Sequence, residues 1–90
     1  MPYFHAFVIG RVQGVGYRYF AERVAGERGV KGFVRNLPSG EVEVGAVGLR
    51  ATLEAFLEDL RRGPRLSRVE RIDVDWQEEE PAFTDFSVRF

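Results

Sequence analysis

The residues of this chain that are best suited to chemistry lie in one short segment, Gln13-Gly14-Val15-Gly16-Tyr17, which we call the glycine loop. Glycine allows the backbone to approach a ligand closely, and free amides at the start of a helix bind anions. The segment therefore predicts an anion site built from the backbone amides of these five residues. A flexible turn between a strand and a helix would have the same glycine content. The established nucleotide loops do not fit, because the P-loop lysine and the third glycine of the dinucleotide loop are both missing.

Arg18 directly follows the glycine loop, at or near the first turn of a predicted helix. The N-terminal end of a helix carries partial positive charge, so Asp or Glu is expected there rather than a cation. A bound anion would relieve this conflict, and a guanidinium offers paired donors to the paired oxygens of a phosphate. The alternative is that Arg18 points to solvent or pairs with Glu22, four positions along the helix. The residue types alone leave both interpretations open.

Asn36 is the second candidate, because it ends a predicted strand and begins a predicted turn. Asn at such a position usually satisfies the backbone of the turn with its own side chain, and this position taken alone favours that role. The side-chain amide also offers a donor and an acceptor, with which it could orient a water molecule without titrating.

Periodic apolar patterns predict the seven elements that must position these residues. The predicted strands cover Tyr3–Arg11, Val30–Asn36, Glu41–Val47, Val69–Trp76 and Thr84–Phe90, and the predicted helices cover Arg18–Arg28 and Leu49–Leu60. Right-handed crossovers place both helices on one face of a mainly antiparallel sheet. The expected fold is α+β, a ferredoxin-like α/β sandwich of order β-α-β-β-α-β plus a C-terminal strand, with residues 1–90 forming a single domain.

Three details of this fold can be predicted as well. The first strand is apolar on both faces, which suits an interior position in the sheet. The third strand alternates, so we expect the side of Val42, Val44 and Ala46 to be buried and the side of Glu41, Glu43 and Gly45 to be wet. The segment 78–81, Glu-Glu-Glu-Pro, is expected to be a solvated loop.

Composition limits the kinds of site that the chain can build. Its 90 residues include no cysteine and one histidine, and the formal net charge is -1. Disulfides, thiolate metal sites and a cysteine nucleophile are excluded, and His5 alone cannot form a zinc site. We therefore expect no metal and no cofactor. A pI near 5.8 disfavours a nucleic-acid partner. No apolar run approaches the ~18 residues of a membrane span. We expect a monomer in the cytoplasm.

Two other classes of protein share this order of elements. The RNA recognition motif is one, and Lys31-Gly32-Phe33 begins like its aromatic signature, but Val34 and Arg35 break the pattern and it lies on the second strand. A small-molecule regulatory or carrier domain is the other, since fold alone does not fix function. A basic stretch, made of Arg61, Arg62, Arg65, Arg68 and Arg71, is explained mostly by helix-end pairing and a wet strand face.

Longer motifs resemble the acylphosphatase family. The sequence GRVQGVGYR over residues 10–18 is similar to its first signature, and GFVRN over 32–36, followed by Gly40, Val42 and Gly48, is similar to its second. The ending FSVRF over 86–90 is similar to the family's C-terminus. The departures are small: Gly16 stands where members carry Cys, Ala or another small residue, and Tyr17 where Phe is frequent.

The resemblance implies hydrolysis of the carboxyl-phosphate bond of a small acyl phosphate, giving a carboxylate and inorganic phosphate. It implies that Arg18 binds the phosphate together with the glycine-loop amides, and that Asn36 positions the attacking water. A carboxylate leaving group is a weak base with a pKa of roughly 4 to 5, so no general acid is needed. Such a reaction suits a chain with so few titratable catalytic side chains, and it requires neither metal nor cofactor.

Overall fold

A computed structural model describes residues 1–78 and 82–90, so most of the predicted 78–81 loop lies outside the described residues. Five strands and two helices follow the predicted order. The strands are β1 (Tyr3–Arg11), β2 (Lys31–Asn36), β3 (Val42–Val47), β4 (Arg68–Gln77) and β5 (Phe86–Arg89). The helices are α1 (Tyr17–Arg28) and α2 (Arg50–Arg62). The last strand is shorter than predicted.

The strands form one sheet in the order β4-β1-β3-β2-β5. All neighbours are antiparallel except β2 and β5, which are parallel. The strand β1 is interior, between β3 and β4, as its two apolar faces predict. Its alternate residues Phe4, Ala6 and Val8 are fully buried in one core with residues of both helices. The predicted ferredoxin-like α/β sandwich is confirmed.

The turn residues that bring the site together behave as their types predict. The helix α1 ends at Gly29, whose φ of 70° is a left-handed conformation that glycine adopts without steric cost. Residues 37–40 join β2 to β3 as a tight hairpin. Leu37 N donates to Glu41 O at 2.8 Å, and Gly40 N donates to Leu37 O at 3.0 Å. The hairpin holds the end of β2, and therefore Asn36, in a fixed place.

The prediction of a wet second face on β3 is wrong. Glu43 is only 8% exposed and Gly45 is buried. A Cβ at Gly45 would collide with the ring of Phe33, so glycine leaves the space that this ring occupies. Glu43 accepts hydrogen bonds from His5 and Arg35. Alternation along one strand could not show that residues of the neighbouring strands would cover this face.

Burial opposes ionisation of Glu43, but the hydrogen bonds from His5 and Arg35 outweigh it and lower the pKa of its carboxyl group. The carboxylate is therefore retained in a covered position. In the part of the chain that the structure describes, this ion cluster lies on the sheet face away from the helices.

Asp59 is a second buried carboxylate, 5% exposed, at the end of α2. Its Oδ1 accepts from Arg28 Nη2 at 3.2 Å and from Arg62 Nη2 at 3.0 Å. The hydrogen bonds from Arg28 are the main cause of a lowered pKa of Asp59, and burial opposes them. The pair Arg28 and Asp59 joins α1 to α2, and thus fixes the helix that carries Arg18.

Asp59 should make the stability of the fold depend on acidity. Its folded-state pKa lies below its unfolded value of about 4, so its contribution is complete above that pH and is lost as the pH falls through the folded pKa. We expect Asp59→Asn to lower the free energy of unfolding by about 1–3 kcal/mol at pH 7. When this free energy is measured by urea unfolding from pH 7 to pH 2, it should fall less steeply with decreasing pH in the variant than in the wild type. Glu54→Gln, in an exposed pair with Arg50, is the control and should cost under about 1 kcal/mol. An Asp59→Asn variant whose free energy of unfolding falls with pH as steeply as that of the wild type would contradict this prediction.

Candidate active site

The glycine loop forms a concave run of backbone amides at the start of α1. Gly14 has φ 74° and Gly16 has φ 78°, and φ is not positive at Val15 between them. Alternation of the sign of φ along three residues turns successive N–H groups to one side and makes an anion-binding nest. Gly16 is the N-cap of α1, no side chain caps the helix, and its first turn holds no acidic residue. The amides are therefore left for an anion.

Both glycines are needed for their backbone conformation rather than for lack of space. A Cβ built at Gly14 or Gly16 would meet no atom within 4 Å, but a left-handed φ costs an ordinary residue about 1–2 kcal/mol. The free space beside the two glycines is where a ligand can approach the backbone. These two positions give the sequence prediction of an anion loop a definite geometry.

Gly16→Ala tests this geometry. We expect kcat/KM for an acyl phosphate to fall about 10-fold, because ~1–2 kcal/mol of strain is relieved by turning amides of the nest away from the phosphate. Gly26→Ala is the matched control: Gly26 lies within α1, has no positive φ and has free space for a Cβ, so alanine there should stabilise by up to about 1 kcal/mol without loss of activity. Equal activity of both variants would mean that the nest conformation is not needed.

Arg18 lies in the first turn of α1, half-buried, and its guanidinium points to the end of β5. Its Nη1 donates to Arg89 O at 3.2 Å, and its Cζ lies 4.6 Å from the centroid of the Phe90 ring. The contacts that the structure describes for Arg18 are thus with a carbonyl and a ring, and not with Glu22. A cation without a carboxylate partner, beside a row of amides, is suited to an anionic ligand.

Asn36 ends β2 opposite Val42 of β3, and its side chain faces the same space as the glycine loop. Its Oδ1 is buried and has no hydrogen-bond partner among residues 1–78 and 82–90. The hairpin that follows is closed by backbone hydrogen bonds, so this oxygen does not serve the turn. Leaving a buried acceptor unpaired costs about 1–3 kcal/mol, which a ligand or a water molecule at this oxygen would recover.

Two side chains of the glycine loop have contacts that the sequence did not predict. Tyr17 is buried, and its hydroxyl donates to Leu60 O at 2.6 Å, which ties the start of α1 to the end of α2. Burial raises the pKa of Tyr17, so the hydroxyl stays protonated. Gln13 Nε2 donates to Leu37 O at 2.7 Å and to Glu41 O at 2.9 Å. A single sequence holds no signal for such long-range partners.

Five of the seven predicted site residues, Gly14, Gly16, Tyr17, Arg18 and Asn36, line one small cavity of about 110 Å³ together with Val12 and Tyr19. Gln13 and Val15 are not among its lining residues. Pockets for drug-sized ligands are roughly 300–1,000 Å³, so this cavity suits a small ion. A larger groove of about 460 Å³ lies by α2 and β4. There, however, Arg50 Nε donates to Glu54 at 3.1 Å and the guanidinium stacks 3.6 Å from the Trp76 ring. We identify the smaller cavity as the candidate active site because its arginine has no acidic partner among the described residues.

The described residues also bear on three other kinds of site: a metal site, a membrane-spanning helix and a nucleic-acid surface. Among residues 1–78 and 82–90, no group of three or more His, Asp or Glu side chains could hold a metal ion. Neither helix is long and apolar enough to cross a bilayer. In the basic stretch, Arg61 pairs with Glu58, Arg62 with Asp59 and Arg71 with Asp73. Phe33, which begins the pattern like an RNA-binding signature, is buried against Phe83.

The two-layer sandwich defines a ferredoxin-like fold, and the amide-rich start of its first helix is a candidate anion site. The sequence model of the acylphosphatase family, described as "Acylphosphatase", matches residues 4–88. The chain belongs to the acylphosphatase family and is a hydrolase of that family.

Individual relatives agree with this assignment. The acylphosphatase of Thermus thermophilus is 56% identical over 79 residues, which are 88% of this chain and 90% of the relative. A crystal structure of acylphosphatase from Bacillus subtilis superposes with a TM-score of 0.98 at 36% identity and covers 100% of both chains. The whole chain also superposes on 12% of full-length HypF, in a phosphate- and nucleotide-bound form, with a TM-score of 0.85 at 26% identity.

Proposed function

We propose that this acylphosphatase hydrolyses acyl phosphates in the small cavity, with the phosphate bound by the glycine-loop amides and Arg18 and the attacking water oriented by Asn36. The observation that carries the proposal is the buried Oδ1 of Asn36, which faces the same cavity as the nest and the guanidinium and has no partner in the described part of the chain. A water molecule between this oxygen and a bound phosphate would satisfy both.

The chemistry needs little more than position and charge. The water oxygen forms a bond to phosphorus while the bond from phosphorus to the acyl oxygen breaks, and the electron pair leaves with the carboxylate. Negative charge on the equatorial phosphate oxygens is stabilised by donors that are already in place. The amides of the glycine loop and the forked guanidinium of Arg18 are such donors, and they require no reorganisation.

The water donates one hydrogen to Asn36 Oδ1 and directs a lone pair to phosphorus, so the amide acts without changing its charge. No carboxylate or imidazole lines the cavity among the described residues. We therefore assign the proton released by the water to an oxygen of the substrate phosphate. Among the described residues this lining holds no carboxylate, the group through which proteins usually bind Mg²⁺, and this supports a reaction that is independent of metal.

The reaction is tested by incubating the purified protein with benzoyl phosphate and following the loss of the acyl phosphate, with and without excess chelator. We expect hydrolysis at an equal rate in both conditions, with inorganic phosphate as a competitive inhibitor. Loss of activity on chelation would contradict the metal-independent mechanism. A folded protein without activity towards acyl phosphates would contradict the proposed function itself.

We also infer that residues 1–90 act as one domain, as a monomer, in the cytoplasm. The edge strand β4 carries exposed charged residues along its length, including Arg68, Glu70, Asp73 and Asp75, and charged edges disfavour pairing with a second sheet. A chain without cysteine does not use the disulfides that stabilise small secreted domains. Sedimentation equilibrium at micromolar concentration should give one species of about 10.3 kDa.

A further inference from the structure

The side chain of Gln13 joins the glycine loop to the hairpin that follows Asn36. Its Nε2 donates to Leu37 O at 2.7 Å and to Glu41 O at 2.9 Å. The two acceptors belong to the two ends of one hairpin, since Leu37 N donates to Glu41 O. A terminal amide nitrogen has two hydrogens, and both are used on this one structure.

These bonds add a second hydrogen bond to each of two carbonyl oxygens of the hairpin. Leu37 O already accepts from Gly40 N at 3.0 Å, and Glu41 O accepts from Leu37 N at 2.8 Å. Each carbonyl has two lone pairs, so Gln13 supplies the second donor to both. Within the described residues, the hydrogen bonds between the glycine loop and residues 37–41 are these two. The amide of Gln13 is therefore a cross-link between segments that are 24 and 28 positions apart.

The cross-link connects the two halves of the site. The phosphate donors, which are the glycine-loop amides and Arg18, follow one another along a single segment, 13–18. Asn36 lies on another element, β2, immediately before Leu37. Phosphate binding needs only the first segment, whereas attack by water needs the first segment and Asn36 at the correct separation. An error of about 1 Å in such an alignment can cost 10²-fold in rate.

We propose that Gln13, through its side chain, is a positioning residue that sets the distance between the bound phosphate and the water held by Asn36. The inference rests on the proposed function. It gives Gln13 a second role, distinct from the backbone amide that it contributes to the nest. It also specifies which kinetic quantity changes: the rate of the chemical step falls while the affinity for phosphate is kept.

Two substitutions remove the donors while keeping the size of the side chain. Gln13→Met has a similar length and no N–H group, and Gln13→Glu has nearly the same shape but presents carboxylate oxygens to the two carbonyls. We expect kcat for benzoyl phosphate to fall about 10-fold or more in both variants. The inhibition constant of inorganic phosphate should change less than about 3-fold in Gln13→Met, which adds no charge beside the phosphate. Gln77→Met is the matched control, because Gln77 is an exposed β4 residue whose Nε2 donates to Asp75 and which does not line the small cavity. Its kcat should equal that of the wild type.

A double-mutant cycle separates positioning from general damage to the fold. On an Asn36→Ala background there is no oriented water to misplace, so Gln13→Met should change kcat by less than about 2-fold. An effect of the same size on both backgrounds would overturn the inference. It would also be overturned by unchanged kcat in both Gln13 variants, or by a parallel loss of kcat and phosphate affinity. An inactive wild type would instead contradict the proposed function, and the inference with it.

Discussion

Replacing Arg18 with alanine is expected to lower kcat/KM for benzoyl phosphate by about 10²–10³-fold. In the proposed mechanism the guanidinium supplies forked donors to the phosphate, in a cavity that holds no other cation among the described residues. Removal of one well-placed transition-state donor commonly costs about 3–4 kcal/mol. Arg18→Lys should recover only part of the loss, because an ammonium group keeps the charge but not the fork. Phosphate affinity should fall together with kcat/KM.

The control for Arg18 is on the same helix. Arg23 is exposed and pairs with Glu27 at 3.3 Å, so Arg23→Ala removes one positive charge from α1 without touching the cavity and should leave kcat/KM within about 2-fold. Circular dichroism and urea unfolding would verify that both variants fold. If the Arg18 and Arg23 variants had equal activity, Arg18 would have no role in binding phosphate.

Replacing Asn36 with alanine should separate activity from stability. We expect kcat to fall by about 10²-fold, since the water loses the acceptor that orients it, while the inhibition constant of inorganic phosphate changes little. Stability should be kept or should rise by up to about 1 kcal/mol, because the substitution removes a buried oxygen that has no partner in the free protein. Steady-state kinetics and urea unfolding of the same preparations measure the two effects.

If Asn36 instead satisfies the turn with its side chain, the expected effect of alanine on stability is the opposite. If Asn36 supported the hairpin, alanine would destabilise the protein by about 1 kcal/mol or more and the loss of activity would follow the loss of fold. Ser39→Ala, in the exposed part of the same turn, is the reference for a substitution that touches only the hairpin. A destabilised Asn36→Ala variant with native kcat would refute its role towards water.

The candidate active site contains few titratable groups. Its main elements are backbone amides held by left-handed glycines, one guanidinium, and one amide oxygen that the fold leaves unpaired. None of these groups changes its charge in the reaction as proposed. Activity should then depend on the alignment of neutral or permanently charged donors, and hence on cross-links such as that of Gln13, more than on pH near neutrality.

The order of the elements, their approximate ends and the residues that could bind an anion were all predictable from residue types and spacing. Periods of two and of about 3.6 residues are local properties, and so are the glycines of a nest and the arginine that follows them. These features are fixed by residue type and by neighbours within a few positions. For the same reason the end of the first helix at Arg28 and the turn after Asn36 could be predicted.

Which groups share the cavity and which polar atoms have partners depends on how the elements pack against one another. From the sequence, Asn36 could either satisfy the turn or orient a water molecule, and Arg18 could either pair with Glu22 or bind an anion. In the structure Arg18 does not pair with Glu22. Each choice depends on strands and helices that are distant in sequence. The burial of Glu43 between His5 and Arg35, and the bonds of Gln13 to the hairpin, have the same origin. Side-chain hydrogen bonds over 24 or more positions are set by how the elements pack, and no pattern along one chain records that packing.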